Sequence, residues 1–190
     1  VDFNFMMRKI GQFGLDIMGW NVVGALPPLK QYVAILAPHN SNWDFVIGLC
    51  ARLALGVRIH FLGKHQLFFF PWGYFFKAVG GIAINRSTTT NRVDQIVALF
   101  QEQEHLKLAL APEGTRSAVT RWKEGFYHMA CQANVPIVMV GLDYSTKEVR
   151  IKEPFWPTKN IGTDFEEIVA FFRTIKAKYP KEIPDYQAKK

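Results

Sequence analysis

The 190-residue chain is predicted to fold as a single α/β domain, a mostly parallel mixed sheet flanked by helices, with an amphipathic helix at its N-terminus. Three observations predict this. Short apolar runs alternate with stretches of helical period along most of the chain, as strands and the helices that cover them do. One run, 32–37, is apolar throughout, the mark of a strand buried on both faces. No internal repeat, low-complexity tract or linker breaks the series, so 1–190 reads as one domain.

Within 1–20, Phe5, Met6, Ile10, Phe13, Ile17 and Trp20 recur at spacings of mostly three and four, with Arg8 and Lys9 on the polar side. A short strand at 21–25 follows, and Pro27 and Pro28 punctuate the chain after it. The strand at 32–37 leads to a helix at 43–55. Strands are then expected at 57–62 and 82–85, a helix at 93–104, a strand at 107–111, a helix at 122–133 and a strand at 136–142. An edge strand at 148–151 and a helix at 164–178, with Phe165, Ile168, Val169 and Phe172 on one side, complete the order.

Lysine and arginine total 23 against 16 acids, a net charge of +7 that attracts nucleic acid, acidic membrane surfaces and phosphorylated small molecules alike. The basic residues are scattered and no recognised motif accompanies them, so no nucleic-acid partner is expected. A chain of this length needs no disulfide or metal staple. Cys50 and Cys131 lie in or beside apolar stretches and are expected to be buried free thiols of a reducing compartment. No run of about 18 apolar residues occurs, so no helix should span a bilayer. The N-terminus lacks the order of a signal peptide, while a start at Val1 leaves an upstream membrane anchor open.

Chemistry is expected beyond the carboxyl ends of the strands. Directly after 32–37 comes Pro38-His39-Asn40-Ser41-Asn42-Trp43-Asp44, in which Ser41 or Asn42 can cap the next helix and Asp44 falls in its first turn. A loop-to-helix reversal can fold His39 onto Asp44. A carboxylate on one imidazole nitrogen fixes the tautomer and leaves the other nitrogen free to take a proton. The plainer reading is a loop histidine beside a capping acid. On the same rim, 106–111 runs into Pro112-Glu113-Gly114-Thr115-Arg116-Ser117, where Gly114 permits a tight turn and Arg116 offers donors suited to phosphate. Alternatively, that turn is a solvated Glu–Arg pair. Arg86 ends another short apolar strand, after Gly80-Gly81, and two arginines near a His/Asp pair outline an anion site beside a base.

Taken together and in this order, the segments resemble the glycerolipid acyltransferase family, whose members include the lysophosphatidic acid acyltransferases. The family's Asn-His-x-Ser-x-x-Asp is matched at His39, Ser41 and Asp44. Its second block is matched at Arg86, with Gly63-Lys64 and Gly80-Gly81 before it. Its Phe-Pro-Glu-Gly-Thr-Arg-Ser is matched from Pro112 to Ser117, followed by Trp122-Lys123-x-Gly125, and its Val-Pro-Ile-Val-Pro-Val at Val135 to Val138 and Val140. The blocks cover about 30–142. Departures are Pro38 for Asn, Ala111 for Phe and Met139 for the second Pro; none removes an acid–base or charged group, but they leave the exact acceptor open.

The resemblance implies an O-acyltransferase, here 1-acylglycerol-3-phosphate O-acyltransferase-like. It would carry a fatty acyl chain from acyl-coenzyme A or acyl carrier protein to the hydroxyl of a lysophospholipid such as lysophosphatidic acid. His39 would be the general base and Asp44 its orienter. Arg86 and Arg116 would bind the acceptor's phosphate, with Lys64, Glu113, Gly114 and Thr115 shaping that site. Neither a cofactor nor a metal is implied; His60, His65, His105 and His128 show no ligand spacing and are expected to be structural or superficial. Ser41 lacks a nucleophile elbow and reads as a cap or turn residue. Other readings remain: an acceptor that is a lyso-amino-acid lipid or another non-glycerol lipid, or a non-catalytic lipid-binding member of the fold.

Residues 67–77 hold seven aromatics in eleven positions, interrupted by Pro71 and Gly73. They fill the core beside the sheet, or they face outward as an interfacial patch or line an acyl channel. With the amphipathic N-terminus and the positive charge, the outward reading implies peripheral, monotopic attachment to the cytoplasmic side of a membrane.

Overall fold

Alternation along one central strand divides the core into two layers. The computed structural model describes residues 3–64, 69–70, 72–78, 80–84 and 92–186. Among these residues thirteen elements follow one another: α1 (Phe3–Met18), β1 (Asn21–Val23), β2 (Gln31–Leu36), α2 (Trp43–Ala54), β3 (His60–Lys64), α3 (Trp72–Ala78), β4 (Gly81–Ile84), α4 (Arg92–Glu102), β5 (Leu106–Leu110), α5 (Gly125–Ala133), β6 (Ile137–Asp143), β7 (Glu148–Ile151) and α6 (Ile161–Arg173). In β2, Val33 and Ile35 join the cluster built by Ile96 and Phe100 of α4, Phe126 and Met129 of α5, and Phe165, Ile168 and Phe172 of α6. Their neighbours Tyr32, Ala34 and Leu36 point to the opposite face. There Leu15 of α1 and Ile47 and Ala51 of α2 meet Leu142 and Val149. A strand sandwiched in this way must be apolar on both sides, which is why β2 has no polar alternation.

The seven strands form one sheet in the order β1-β7-β6-β2-β5-β3-β4. Every pairing is parallel except β6 with β7, so the sheet is mixed and mostly parallel, as expected. The register of β2 against β5 pairs Gln31 with Leu106 and Ile35 with Leu110, which brings the two strands to their carboxyl ends side by side.

Several boundaries differ from the expectation for physical reasons. A helix, α3, occupies part of the aromatic segment, to which the sequence pattern assigns no element. Helix α5 starts at Gly125, not near residue 122, because Trp122 is buried against Phe172 and Lys123 N–H bonds the carbonyl of Pro112 at 2.8 Å. Helix α6 ends at Arg173, where the Thr174 hydroxyl donates to the Phe171 carbonyl at 2.7 Å. The chain beyond is thereby released from the helix and crosses the rim of the sheet.

The outermost helix also turns an unexpected side to solvent. The face of α1 that packs carries Gly11 and Leu15, both buried, against α2. A Cβ on Gly11 would stand 2.3 Å from the backbone nitrogen of Ala54, so glycine permits the close approach of the two helices. Phe5, Met6, Ile10, Phe13 and Ile17 lie outward and are 46–70% exposed. Cys50 and Cys131 are free thiols, half-buried rather than fully buried.

Candidate active site

The loop after β2 and the loop after β5 meet at the sheet rim because their strands are adjacent and parallel. Ser41 prepares the helical turn, its hydroxyl accepting from Trp43 N–H at 3.1 Å. Asn42 occupies the N-cap without a side-chain cap bond. Asp44 then lies in the first turn of α2, buried, where a negative charge suits the helix terminus.

Asp44 is surrounded by donors. Its Oδ2 accepts from the backbone N–H groups of Asn40 and Ser41, each at 2.9 Å, and its Oδ1 accepts from the Tyr144 hydroxyl at 2.7 Å. The Nδ1 atom of His39 stands 2.9 Å from Oδ2. This is ion-pair distance, although the ring N–H does not point squarely along the hydrogen-bonding line. Burial alone would push the Asp44 carboxyl up, but the bonds from His39, Tyr144, Ser41 and Asn40 outweigh it and hold the group below its ordinary value. The imidazole is 21% exposed, enough for its other nitrogen to be reached from outside.

Glu113 comes from the loop after β5 and points inward. Its Oε2 accepts from the backbone N–H of His39 at 3.0 Å and from the Lys181 ammonium at 2.8 Å. Its Oε1 is buried with no hydrogen-bond partner among the described residues. Burial raises the Glu113 carboxyl above its usual range, against the opposing pull of Lys181 and the His39 amide. Gly114 follows at φ +67°, a conformation that favours glycine, with the mobile ammonium end of Lys123 beside it. Thr115 and Arg116 are exposed on the rim beside it.

The arrangement thus brings together His39, Asp44, Glu113, Gly114, Thr115 and Arg116. Arg86 lies outside the described residues. Lys64 ends β3, and only its backbone is described. Sequence reasoning missed Tyr144, from the β6–β7 turn, and Lys181, from the segment after α6. A tyrosine one residue past a strand and a lysine in a lysine-rich tail carry no spacing that would mark them. Among the described residues no group of three or more His, Cys, Asp or Glu is placed to hold a metal ion.

Next to this rim, α2 roofs an apolar cavity of about 180 Å³. Ala34, Leu36, Ala109 and Val140 form its floor, Phe45 and Gly48 line its helical side, and Asp44 stands at its edge. Chemically, the site offers a base with a free nitrogen, a fixed carboxylate behind it, exposed positive charge and an apolar slot alongside.

The fold and the segment that carries these residues have counterparts among known proteins. A family model described as Acyltransferase matches residues 22–143. The 1-acyl-sn-glycerol-3-phosphate acyltransferase of Cocos nucifera is 27% identical over 143 residues, 66% of this chain and 46% of that protein. The protein of the same name from Saccharomyces cerevisiae is 30% identical over 136 residues, 67% of this chain and 43% of its own. The Escherichia coli protein of that name is 26% identical over 123 residues, 61% and 49%. The chain therefore spans about half the length of the curated relatives it matches. Among solved structures, the 1-acyl-sn-glycerophosphate (LPA) acyltransferase from Thermotoga maritima shares the fold. Its TM-score is 0.65 at 16% identity, covering 90% of this chain and 77% of that one.

Proposed function

The chain belongs to the acyltransferase family, and from that premise we propose that it transfers a fatty acyl chain from acyl-coenzyme A or acyl carrier protein to the hydroxyl of a lysophospholipid such as lysophosphatidic acid. The observation that carries the reading is the 2.9 Å approach of His39 Nδ1 to Asp44 Oδ2 at the end of β2, beside the loop that bears Arg116.

In this reaction Nε2 of His39 takes the proton of the acceptor hydroxyl as its oxygen attacks the thioester carbonyl carbon. Asp44 stabilises the imidazolium that forms. When the tetrahedral intermediate collapses, the C–S bond breaks and the thiolate recovers the proton from Nε2, so an ester and a free thiol leave. No acyl-enzyme is needed, because the substrate supplies the nucleophile. Arg116, with Arg86, holds the acceptor's phosphate, and Lys64, Gly114 and Thr115 contribute to that site. The cavity beneath α2 takes the acyl chain, a role supported by apolar walls that reach Asp44, the partner of the base.

The same reading sets the protein on the cytoplasmic face of a membrane as a peripheral, monotopic enzyme. Its support is the outward apolar side of α1, together with exposed Trp43 on α2 and exposed Phe69, Phe70, Tyr74 and Phe75 in and before α3. No helix among the described residues is long and apolar enough to cross a bilayer.

The test is a panel of lyso-lipid acceptors offered with one acyl-coenzyme A, with products identified by mass spectrometry. Acylated lysophosphatidic acid as the main product is expected. A preference for acceptors without phosphate would replace the head group named here, and no thioester consumption with any acceptor or donor would sink the transfer reaction.

A further inference from the structure

We propose that Lys181 is a positioning residue of the site, an ammonium clamp that locks the His39 loop to the Glu113–Arg116 turn and keeps Arg116 free for the acceptor's anion. The inference rests on the transferase reading given above and names a residue outside the family's sequence blocks.

An ammonium has three donors. Those of Lys181 reach three oxygens: Glu113 Oε2 at 2.8 Å, the His39 carbonyl at 3.1 Å and the Arg116 carbonyl at 3.3 Å. One acceptor comes from the loop after β2 and two from the loop after β5. The side chain is only 3% exposed and the Glu113 side chain 0%, so this is a buried pair and not a surface contact. A buried cation is tolerated only where its donors are met, and here all of them are.

The segment that delivers it, 174–186, is fastened along its length. The Tyr144 N–H bonds the Lys176 carbonyl at 2.8 Å, and Asn40 Nδ2 bonds the Tyr179 carbonyl at 2.7 Å. The Lys178 ammonium lies 5.3 Å over the ring of Trp43, and Tyr186 packs on Phe165 with ring centroids 4.8 Å apart. Two of these ties, at Asn40 and Trp43, fall on the loop and helix that carry His39 and Asp44. The segment is a strap across the site.

The clamp has an electrostatic consequence. Glu113 and Arg116 belong to one turn, and a guanidinium is the natural partner of a nearby carboxylate. Lys181 satisfies Glu113 from behind, so the negative charge is met within the protein while Arg116 stays exposed on the rim. Without it, Glu113 would draw Arg116 inward, which costs the anion site a cation, or take up a proton, which leaves the turn without its tie to the His39 loop.

The experiment compares the full chain with Lys181→Met and with the double variant Lys181→Met/Glu113→Gln. Steady-state kinetics are run against a lyso-lipid acceptor and acyl-coenzyme A, beside NMR of the His39 backbone amide. Lys181→Met is expected to raise the acceptor KM roughly tenfold or more while the thioester KM moves less than about twofold. The double variant leaves no buried charge unpaired and should recover part of that loss in acceptor KM. The His39 amide resonance, whose N–H donates to Glu113 Oε2 at 3.0 Å, should move in the single variant, because the carboxylate it bonds loses its ammonium.

Equal damage to both KM values, equal damage in single and double variants, or an unmoved His39 amide resonance would each overturn the clamp. If Lys181→Met does not fold, Lys181→Gln replaces it with the same expected split. A parent protein that consumes no thioester would defeat the transferase reading, and the His39 amide resonance would still decide the clamp.

Discussion

The Tyr144 hydroxyl donates to Asp44 Oδ1, the oxygen that the His39 loop leaves untouched, so the carboxylate behind the base is gripped from both sides. Burial and the negative neighbour both raise the phenol, which therefore remains a donor across the working range. Tyr144→Phe keeps the ring contact with Trp20, at 4.9 Å, and removes only the bond. We expect kcat to fall roughly threefold to tenfold, in line with the loss of about one hydrogen bond to a charged group, with Tm little changed. Unchanged kcat would mean that the phenol contributes only packing.

His39→Ala should lower transfer by a factor on the order of 10² or more while leaving the fold intact, since a base supplies about that much. The ring is partly exposed, and the structural bonds of the loop run through the His39 backbone, which alanine retains. A variant keeping more than about a tenth of the rate would be incompatible with a base of that worth.

Asp44 also sets a pH dependence of stability. Its folded value lies below its ordinary value, so its contribution is fully present above the ordinary carboxylate range and is lost as pH falls through the lowered value. Asp44→Asn would turn an amide toward the N–H groups of Asn40 and Ser41 or toward the Tyr144 hydroxyl, and one side must lose an acceptor. We expect a destabilisation of ~1–3 kcal/mol at pH values of about 5 and above, narrowing toward pH ~3. Urea denaturation at several pH values measures the gap; a gap independent of pH would show that the charge is irrelevant.

Much of this architecture was legible in the chain itself. Strand β2 and helix α6 are strongly patterned, one apolar throughout and the other with Phe165, Ile168, Val169 and Phe172 on a single side, and both lie near their expected positions. His39, Asp44 and the Glu113–Arg116 turn stood out because they follow strands, where a rim is bound to form. Tyr144 and Lys181 did not, since they lie 100 and 68 residues from the groups they bond and only folding brings them close. The orientation of α1 was hidden for another reason. Its helical period is genuine, but glycine and leucine on the packing side carry a weaker apolar signal than the phenylalanines outside, so periodicity marks the exposed face.

That outward face gives a prediction for membrane attachment. The parent should float with anionic vesicles at low salt, and Phe13→Asp with Ile17→Asp should abolish flotation without lowering Tm, because both side chains are already largely exposed. A parent recovered wholly in the soluble fraction, or a variant that floats equally well, would refute attachment through α1.

Gly48 lines the cavity, and a Cβ there would meet nothing within 4 Å. Gly48→Leu should therefore fit without strain, gain roughly 1 kcal/mol from helix propensity and fill part of the slot. Competition among acyl-coenzyme A species should shift toward shorter chains. An unchanged profile would mean that the acyl chain lies elsewhere.

Helix α2 bears Asp44 in its first turn and, one turn later, Gly48 over the slot. On the proposed reaction, a single stiff rod thus carries both the orienter of the base and the gauge of the chain. Tilting it to admit a bulkier donor would also drag the carboxylate off the imidazole, so evolution cannot adjust breadth of diet and speed of turnover separately by moving this helix; side-chain changes along its underside are the independent route.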